Sequence, residues 1–348
     1  MEPVLAVAEG TRPGIGAGSL WLRDRRWDLT FITLSVATAG FPLLLHHAFG
    51  VSPDWVGYVV LILVGAPHVY TTYTRTWLEP RFVRRYTAFF LGGFLVPAAV
   101  ITLALKAPMY FTTGFFFWAS VHILHQITYI VMAYQKKHPR PLPLASRLID
   151  YGVVFTSLYP IATWKMVHGK FDISGFEPIL PSFILHDWFW IASATAFGLC
   201  LVLFIGKTVS EWQEGRFHAP KTALIAVTVA LAFSMPAFPN LDVSFQAFNT
   251  WHSFQYLALT WYINRLRQER GEISREWVRR TALPGRHWHF YGVALGATFL
   301  LVAAIFALQR LSGLPPLTCY YVLGMSFLLL HYYFDHFLFT RTADLVPA

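Results

Sequence analysis

Apolar residues gather along this chain in ten blocks, separated by short stretches that hold most of its Arg, Lys, Gly and Pro. The blocks lie near 29–49, 53–74, 86–105, 109–134, 145–166, 183–207, 220–240, 244–264, 288–309 and 316–338. Each approaches or exceeds the roughly 20 residues a helix needs to cross the hydrocarbon of a bilayer. The pattern predicts an all-α polytopic bundle of ten spans forming one transmembrane domain over 29–338. The flanks 1–28 and 339–348 read as polar tails. Pro42, Pro97, Pro160 and Pro236 fall inside blocks, which membrane helices tolerate because neighbouring helices satisfy the freed backbone groups. Pro67 and Pro160 are expected to kink their helices. The first 20 residues lack a compact apolar region, so the first block is read as a retained helix rather than a cleaved signal.

Charge supplies an independent check. Lys and Arg accumulate on the cytoplasmic side of membrane proteins. With the N-terminus inside, 23 of the 27 basic residues fall on inner connections and only Lys106, Lys165, Lys170 and Arg310 on outer ones. An odd number of spans would break this alternation, so both termini are expected in the cytoplasm. A bacterial inner membrane fits that bias. The chain is 55% hydrophobic and 13% charged, against about 25% charged in a soluble domain. The net charge of +9 is dispersed among short juxtamembrane loops, which argues for anionic headgroups and against nucleic acid. The Arg- and Glu-rich stretch 265–286 is expected to form a solvated helix. Cys200 and Cys319 both lie within blocks and give neither a disulfide framework nor a thiolate site. Phosphate-binding and dinucleotide glycine motifs and a serine nucleophile elbow are absent.

What the apolar pattern leaves unexplained is histidine. Ionisable side chains within a membrane are costly and point to function. His138, His168, His218, His287 and His289 fall in loops or at block ends, and His46 and His47 close the first block, where interfacial roles suffice. His68, His122, His125, His252, His331 and His336 instead lie inside blocks two, four, eight and ten, which all run in one direction. At about 1.5 Å of rise per residue, their depths differ by amounts that ordinary helix tilt can absorb. His122 and His125 are three apart on similar faces of one helix. Asp335 follows His331 by four and is a candidate to accept a hydrogen bond from a ligand histidine or to ligate directly, and Gln126 and Gln255 are candidates to orient the site. Neutral imidazoles without thiolate partners suit iron, copper or zinc, and an all-histidine set with open positions fits redox iron. Tyr70, Tyr73, Tyr129, Phe117, Trp118 and Tyr332 are candidate walls of a cavity for a long apolar substrate.

This arrangement resembles the bacterial membrane β-carotene dioxygenases of the Brp/Blh type. The resemblance lies in Pro67-His68 in the second block, His122 in a later one, His252 followed by Ser253, and His331 with Asp335 after it. It covers the helical body in outline. Val69 follows His68 and Thr72 stands where the family pattern has Asp, while His125 and His336 are additional. The resemblance implies non-haem iron held by histidines on separate helices and oxidative cleavage of a carotenoid.

The expectation is therefore a membrane oxygenase that holds non-haem iron through His68, His122, His252 and His331, supplemented by His125 or His336. It would act with dioxygen, and an electron donor if one is needed, on a lipid-soluble substrate. A second metal, as in a di-iron desaturase or hydroxylase, is one alternative. A haem-binding electron carrier or a histidine-relay transporter is another.

Overall fold

The computed structural model describes residues 20–138, 141–173 and 175–346. Most of the expected N-terminal tail and the last two residues of the C-terminal one lie outside the described residues. The long helices, in chain order, are α1 (Arg25–His47), α2 (Pro53–Tyr73), α3 (Thr87–Lys106) and α4 (Pro108–Lys136). Then come α5 (Leu144–Thr156) and α6 (Tyr159–Val167), α7 (Asp187–Gln213) and α8 (Ala219–Ala237), and α9 (Leu241–Glu269). The chain closes with α10 (His287–Ser312) and α11 (Pro316–Leu338). Among the described residues there is no β-strand, only an isolated bridge between Ile173 and Phe176.

Eight of these helices are long and apolar enough to cross a membrane. The two blocks not among them depart from the simple pattern for separate reasons. Block 145–166 is divided into α5 and α6 at Ser157, whose hydroxyl and amide both turn back to the Val154 carbonyl. Pro160, which has no N–H to offer the helical ladder, sits in the first turn of α6. Block 244–264 is an unbroken helix inside α9, started by Asn240, whose Oδ1 accepts from the Val243 amide at 3.0 Å. It is too polar for a lipid-facing span because its side chains, Gln255, Thr260 and Asn264 among them, are buried by neighbours instead of lipid. The helix expected over 265–286 is a correction. α9 runs on to Glu269, a turn passes through Gly271 at φ +68°, and only Glu276–Thr281 is helical beyond it.

α9 is the central element. It packs against α1 and α2 along their lengths and touches α10. α7 and α10 lie at the rim, each only 11% buried over its most apolar stretch. They display large apolar side chains such as Val202 and Leu300 outward, an inverted surface that suits lipid and not water. Two of the ligand-bearing helices carry π-turns just before their histidines: Leu61–Gly65 in α2 and Tyr321–Met325 in α11. In α2 the wide turn accommodates Pro67, so the expected disturbance appears as a π-turn ahead of the proline. In α11 it requires Gly324, since a Cβ there would lie 2.8 Å from the Tyr320 ring.

A second group of charges ties α4, α5, α7 and α8 together. Asp150 pairs with Lys207 and, at 2.9 Å, with Lys221, while Gln135 donates to its Oδ2 at 3.1 Å. Glu211 lies 3.5 Å from Lys207 and accepts from Ser146 at 2.8 Å. Two cations and two carboxylates so buried are tolerable because each is paired and hydrogen-bonded.

Candidate metal centre

Four helices each bring one imidazole to a common point. α2 supplies His68, α4 His122, α9 His252 and α11 His331, all at most 2% exposed. Neighbouring rings meet edge to face with centroids 5.0 Å apart for His68 and His252, 5.0 Å for His252 and His122, 4.9 Å for His122 and His331, and 4.9 Å for His331 and His68. Each ring thus touches two others and the four close a cycle. One nitrogen from each lies within 4.8 Å of the corresponding nitrogen of every other, and this buried group could hold a metal ion. At metal–nitrogen distances of about 2.1 Å, the ligand nitrogens of a tetrahedral site stand roughly 3.4 Å apart, so the rings would each draw inward by up to about an ångström to close on an ion.

Hydrogen bonding says which nitrogens are free. His68 Nε2, His331 Nε2 and both ring nitrogens of His122 and His252 are buried without a partner. An unpaired buried polar atom costs about 1–3 kcal/mol, so a concentration of six at one place is an expense that packing alone does not explain. The distal nitrogens of the other two rings are held. His68 Nδ1 is 2.9 Å from Ser253 Oγ, which donates to Asn249 Oδ1 at 3.2 Å. His331 Nδ1 is 2.6 Å from Thr72 Oγ1, and Asp335 Oδ2 stands 3.4 Å from the same nitrogen. Asp335 Oδ1 accepts from Thr72 at 2.9 Å and Tyr256 at 2.7 Å. The donor set is thus four neutral imidazoles with ring nitrogens directed inward, which suits a borderline divalent ion such as iron, copper or zinc.

The remaining candidates separate from this group. His125 and His336 stand outside it: their Nδ1 atoms are 2.7 Å apart, and Trp118 Nε1 donates to His336 Nε2 at 3.0 Å. One turn of α4 carries His125 past His122 toward the bundle surface, where His336 meets it. Gln126 and Gln255 do not orient the rings. Gln126 Nε2 donates to Gln255 Oε1 and to the His252 carbonyl, and Gln255 Nε2 to the Ile32 carbonyl, so they lock α4 and α1 to α9. Tyr73 spends its hydroxyl on the Phe327 carbonyl at 2.7 Å, Tyr70 lies with its ring 6.4 Å from that of Phe327, and Tyr129 stacks on Phe339. Tyr332 covers His122 face to face, with centroids 4.0 Å apart. Phe117 faces the opposite side of α4, where it lines an apolar cleft with Phe116, Ile123, Tyr159, Phe245 and Phe248.

Thr72, Ser253 and Tyr256 were not expected as site residues. Their signal was present in the spacing: Thr72 follows His68 by four and Tyr256 follows His252 by four, positions that share a helix face. Comparison with known proteins finds no matching family model, curated protein or solved structure.

Proposed function

We propose that this protein is an integral-membrane, histidine-ligated non-haem iron oxygenase that acts with dioxygen on a long, apolar, lipid-soluble substrate such as a carotenoid. The observation that carries the reading is the inward ring of unpaired imidazole nitrogens at the crossing of α2, α4, α9 and α11. The four histidines would hold the ion through one nitrogen each, and iron so bound supplies the capacity to bind and reduce dioxygen. The protein's own part is to fix the rings and exclude water. Ser253 and Thr72 hold two of the ligands from behind, while Tyr332 shields a third.

An apolar substrate is supported by the cleft that Phe117 lines, which shares α4 and α9 with the site but is bordered by none of the four histidines. Phe245 precedes His252 by seven residues, about two turns of α9 on one face and roughly 10 Å along the axis. The cleft wall formed by Phe245 and Phe248 therefore leads along α9 to a ligand. We further read α9 and the α5–α6 pair as crossing the membrane with the eight apolar helices. Ten crossings place both termini in the cytoplasm, in keeping with the charge bias, and a bacterial inner membrane is the setting.

Haem fits less well, because a porphyrin needs a flat slot between two axial imidazoles and the adjacent rings of this cycle fill it. A di-iron centre would need a ligand set for a second ion, and beyond the four-histidine cycle only Asp335 and the mutually paired His125 and His336 stand nearby. The deciding experiment is elemental analysis and an ultraviolet–visible spectrum of the purified protein, followed by incubation with β-carotene and ¹⁸O₂. About one iron per chain, no Soret band and labelled cleavage product are expected. Iron-free protein that still turns over, or a Soret band, would overturn the reading.

A further inference from the structure

The contact between Thr72 and His331 has a hydrogen budget that can be resolved atom by atom. Thr72 Oγ1 stands 2.6 Å from Tyr256 Oη, 2.6 Å from His331 Nδ1 and 2.9 Å from Asp335 Oδ1. All four residues are 0% exposed, so water does not relieve a mismatch. A threonine hydroxyl has one proton to give and two lone pairs to accept with. Tyr256 also donates to Asp335 Oδ1 at 2.7 Å, so the carboxylate oxygen is the common acceptor.

Two protonation patterns compete. In the first, Thr72 gives its proton to one of its oxygen partners, Asp335 Oδ1 or Tyr256 Oη, and receives one from His331 Nδ1, which leaves one of the three oxygen–oxygen contacts without a proton and a lone pair on His331 Nε2. In the second, Thr72 gives its proton to His331 Nδ1. Tyr256 would then hold the only proton left for the three mutually close oxygens of Thr72, Tyr256 and Asp335, so two of their three contacts would face each other bare, while Nε2 is buried without a partner in both patterns. The additional bare contact costs about 1–3 kcal/mol, so the first pattern prevails.

We infer that Thr72 is a positioning residue that carries the hold of Asp335 to His331 through its hydroxyl, fixing the Nδ1–H tautomer and aiming the Nε2 lone pair at the other three rings. The inference rests on the metal-centre reading for its purpose, though not for its geometry. It also gives sense to the sequence. A carboxylate at position 72 would place a second anion against Asp335, whereas a hydroxyl can donate to one group and accept from the other. The same device recurs at His68, where Ser253 on α9 stands between the ring and Asn249. At His68 the Val64 carbonyl one turn back also stands 3.3 Å from Nδ1, so there the hydroxyl on α9 shares the ring with its own helix.

The test is ¹⁵N NMR of histidine-labelled, metal-free protein, with the His331 resonance assigned by comparison with His331→Gln, together with titration by Co²⁺ alone. Wild type is expected to show the Nδ1–H form at His331. Thr72→Val should populate the other tautomer and weaken Co²⁺ binding by about 10–100-fold, the usual effect of removing an outer-shell partner, and Thr72→Ser should restore both. An Nε2–H tautomer in the wild type overturns the inference without any Thr72 variant needing to fold. So does a Thr72→Val protein with unchanged tautomer and Co²⁺ affinity. Wild type that shows the Nδ1–H form but takes up no Co²⁺ supports the relay and overturns the metal reading instead.

Discussion

Replacing His122 with Leu should raise the stability of the metal-free protein and remove the stabilisation that metal confers. Both ring nitrogens of His122 are buried and unpaired, and the ring is covered by Tyr332 at 4.0 Å. In metal-free protein, a leucine of similar bulk removes two unsatisfied polar atoms, each worth about 1–3 kcal/mol, and forfeits ring stacking worth about 0.5–1.5 kcal/mol. The expected net is a gain of about 0.5–5.5 kcal/mol from these two magnitudes. With metal present, the wild type acquires a binding increment of about 2.7 kcal/mol at a hundredfold excess over Kd. The variant, left with three ligands, acquires little at the same concentration. Thermal unfolding in detergent, followed by the fluorescence of the chain's 13 tryptophans, gives both comparisons when run with chelator and with anaerobic Fe²⁺. His122→Leu should lie above wild type in chelator and lose the metal-dependent rise. Equal destabilisation in both conditions would refute the reasoning, since it would make His122 a packing residue whose ring the fold needs regardless of any ion.

Three further outcomes are expected. His125→Gln and His336→Gln should leave metal stoichiometry unchanged, because these rings pair with each other, whereas His252→Ala should abolish it; elemental analysis distinguishes the two. Lys221→Met should cost about 3–5 kcal/mol by stranding buried carboxylate charge at Asp150 and Glu211, and adding Asp150→Leu should recover part of that loss in denaturation experiments. His218, which caps α8 by accepting from the Lys221 amide, is pushed down to about 4 by burial, with Lys221 and His138 adding to the effect. Its folded value lies below the unfolded one near 6.5. The stability it contributes is therefore complete above pH 6.5 and lost as pH falls toward 4, at about 1.4 kcal/mol per unit, and His218→Gln should flatten a melting curve series between pH 7.5 and 4.5.

Hydropathy made the bundle legible wherever a helix faces lipid. α7 and α10 could be read with confidence from composition because almost all of their surface must be apolar. α9 was found as a block but not as the centre, since its polar side chains have meaning only when the surrounding helices are known. The break at Ser157 depends on a local hydroxyl bond that an apolar average does not register. For the site, depth along parallel spans was enough to bring His68, His122, His252 and His331 together, because helix rise is a property of sequence number. Depth alone could not separate His125 from His122, because it does not say which neighbours each ring meets: His122 lies against His252 and His331, and His125 against His336. Thr72 and Tyr256 were hidden for a related reason. A threonine and a tyrosine in a membrane helix are ordinary, and their importance arises from contacts with residues about 80 to 260 positions away.

The polarity of α9 also bears on how the protein is made. A helix carrying Gln246, Asn249, His252, Gln255 and Asn264 gains little from lipid by itself, so its retention in the bilayer depends on companions that offer hydrogen bonds. Its partners on α1, α2 and α4 are all synthesised before it, and α11, which brings His331 and Asp335, emerges last. On the proposed ten-crossing reading, insertion of α9 is a co-operative step templated by helices already in place, and the four-histidine ring is completed only when the final helix docks.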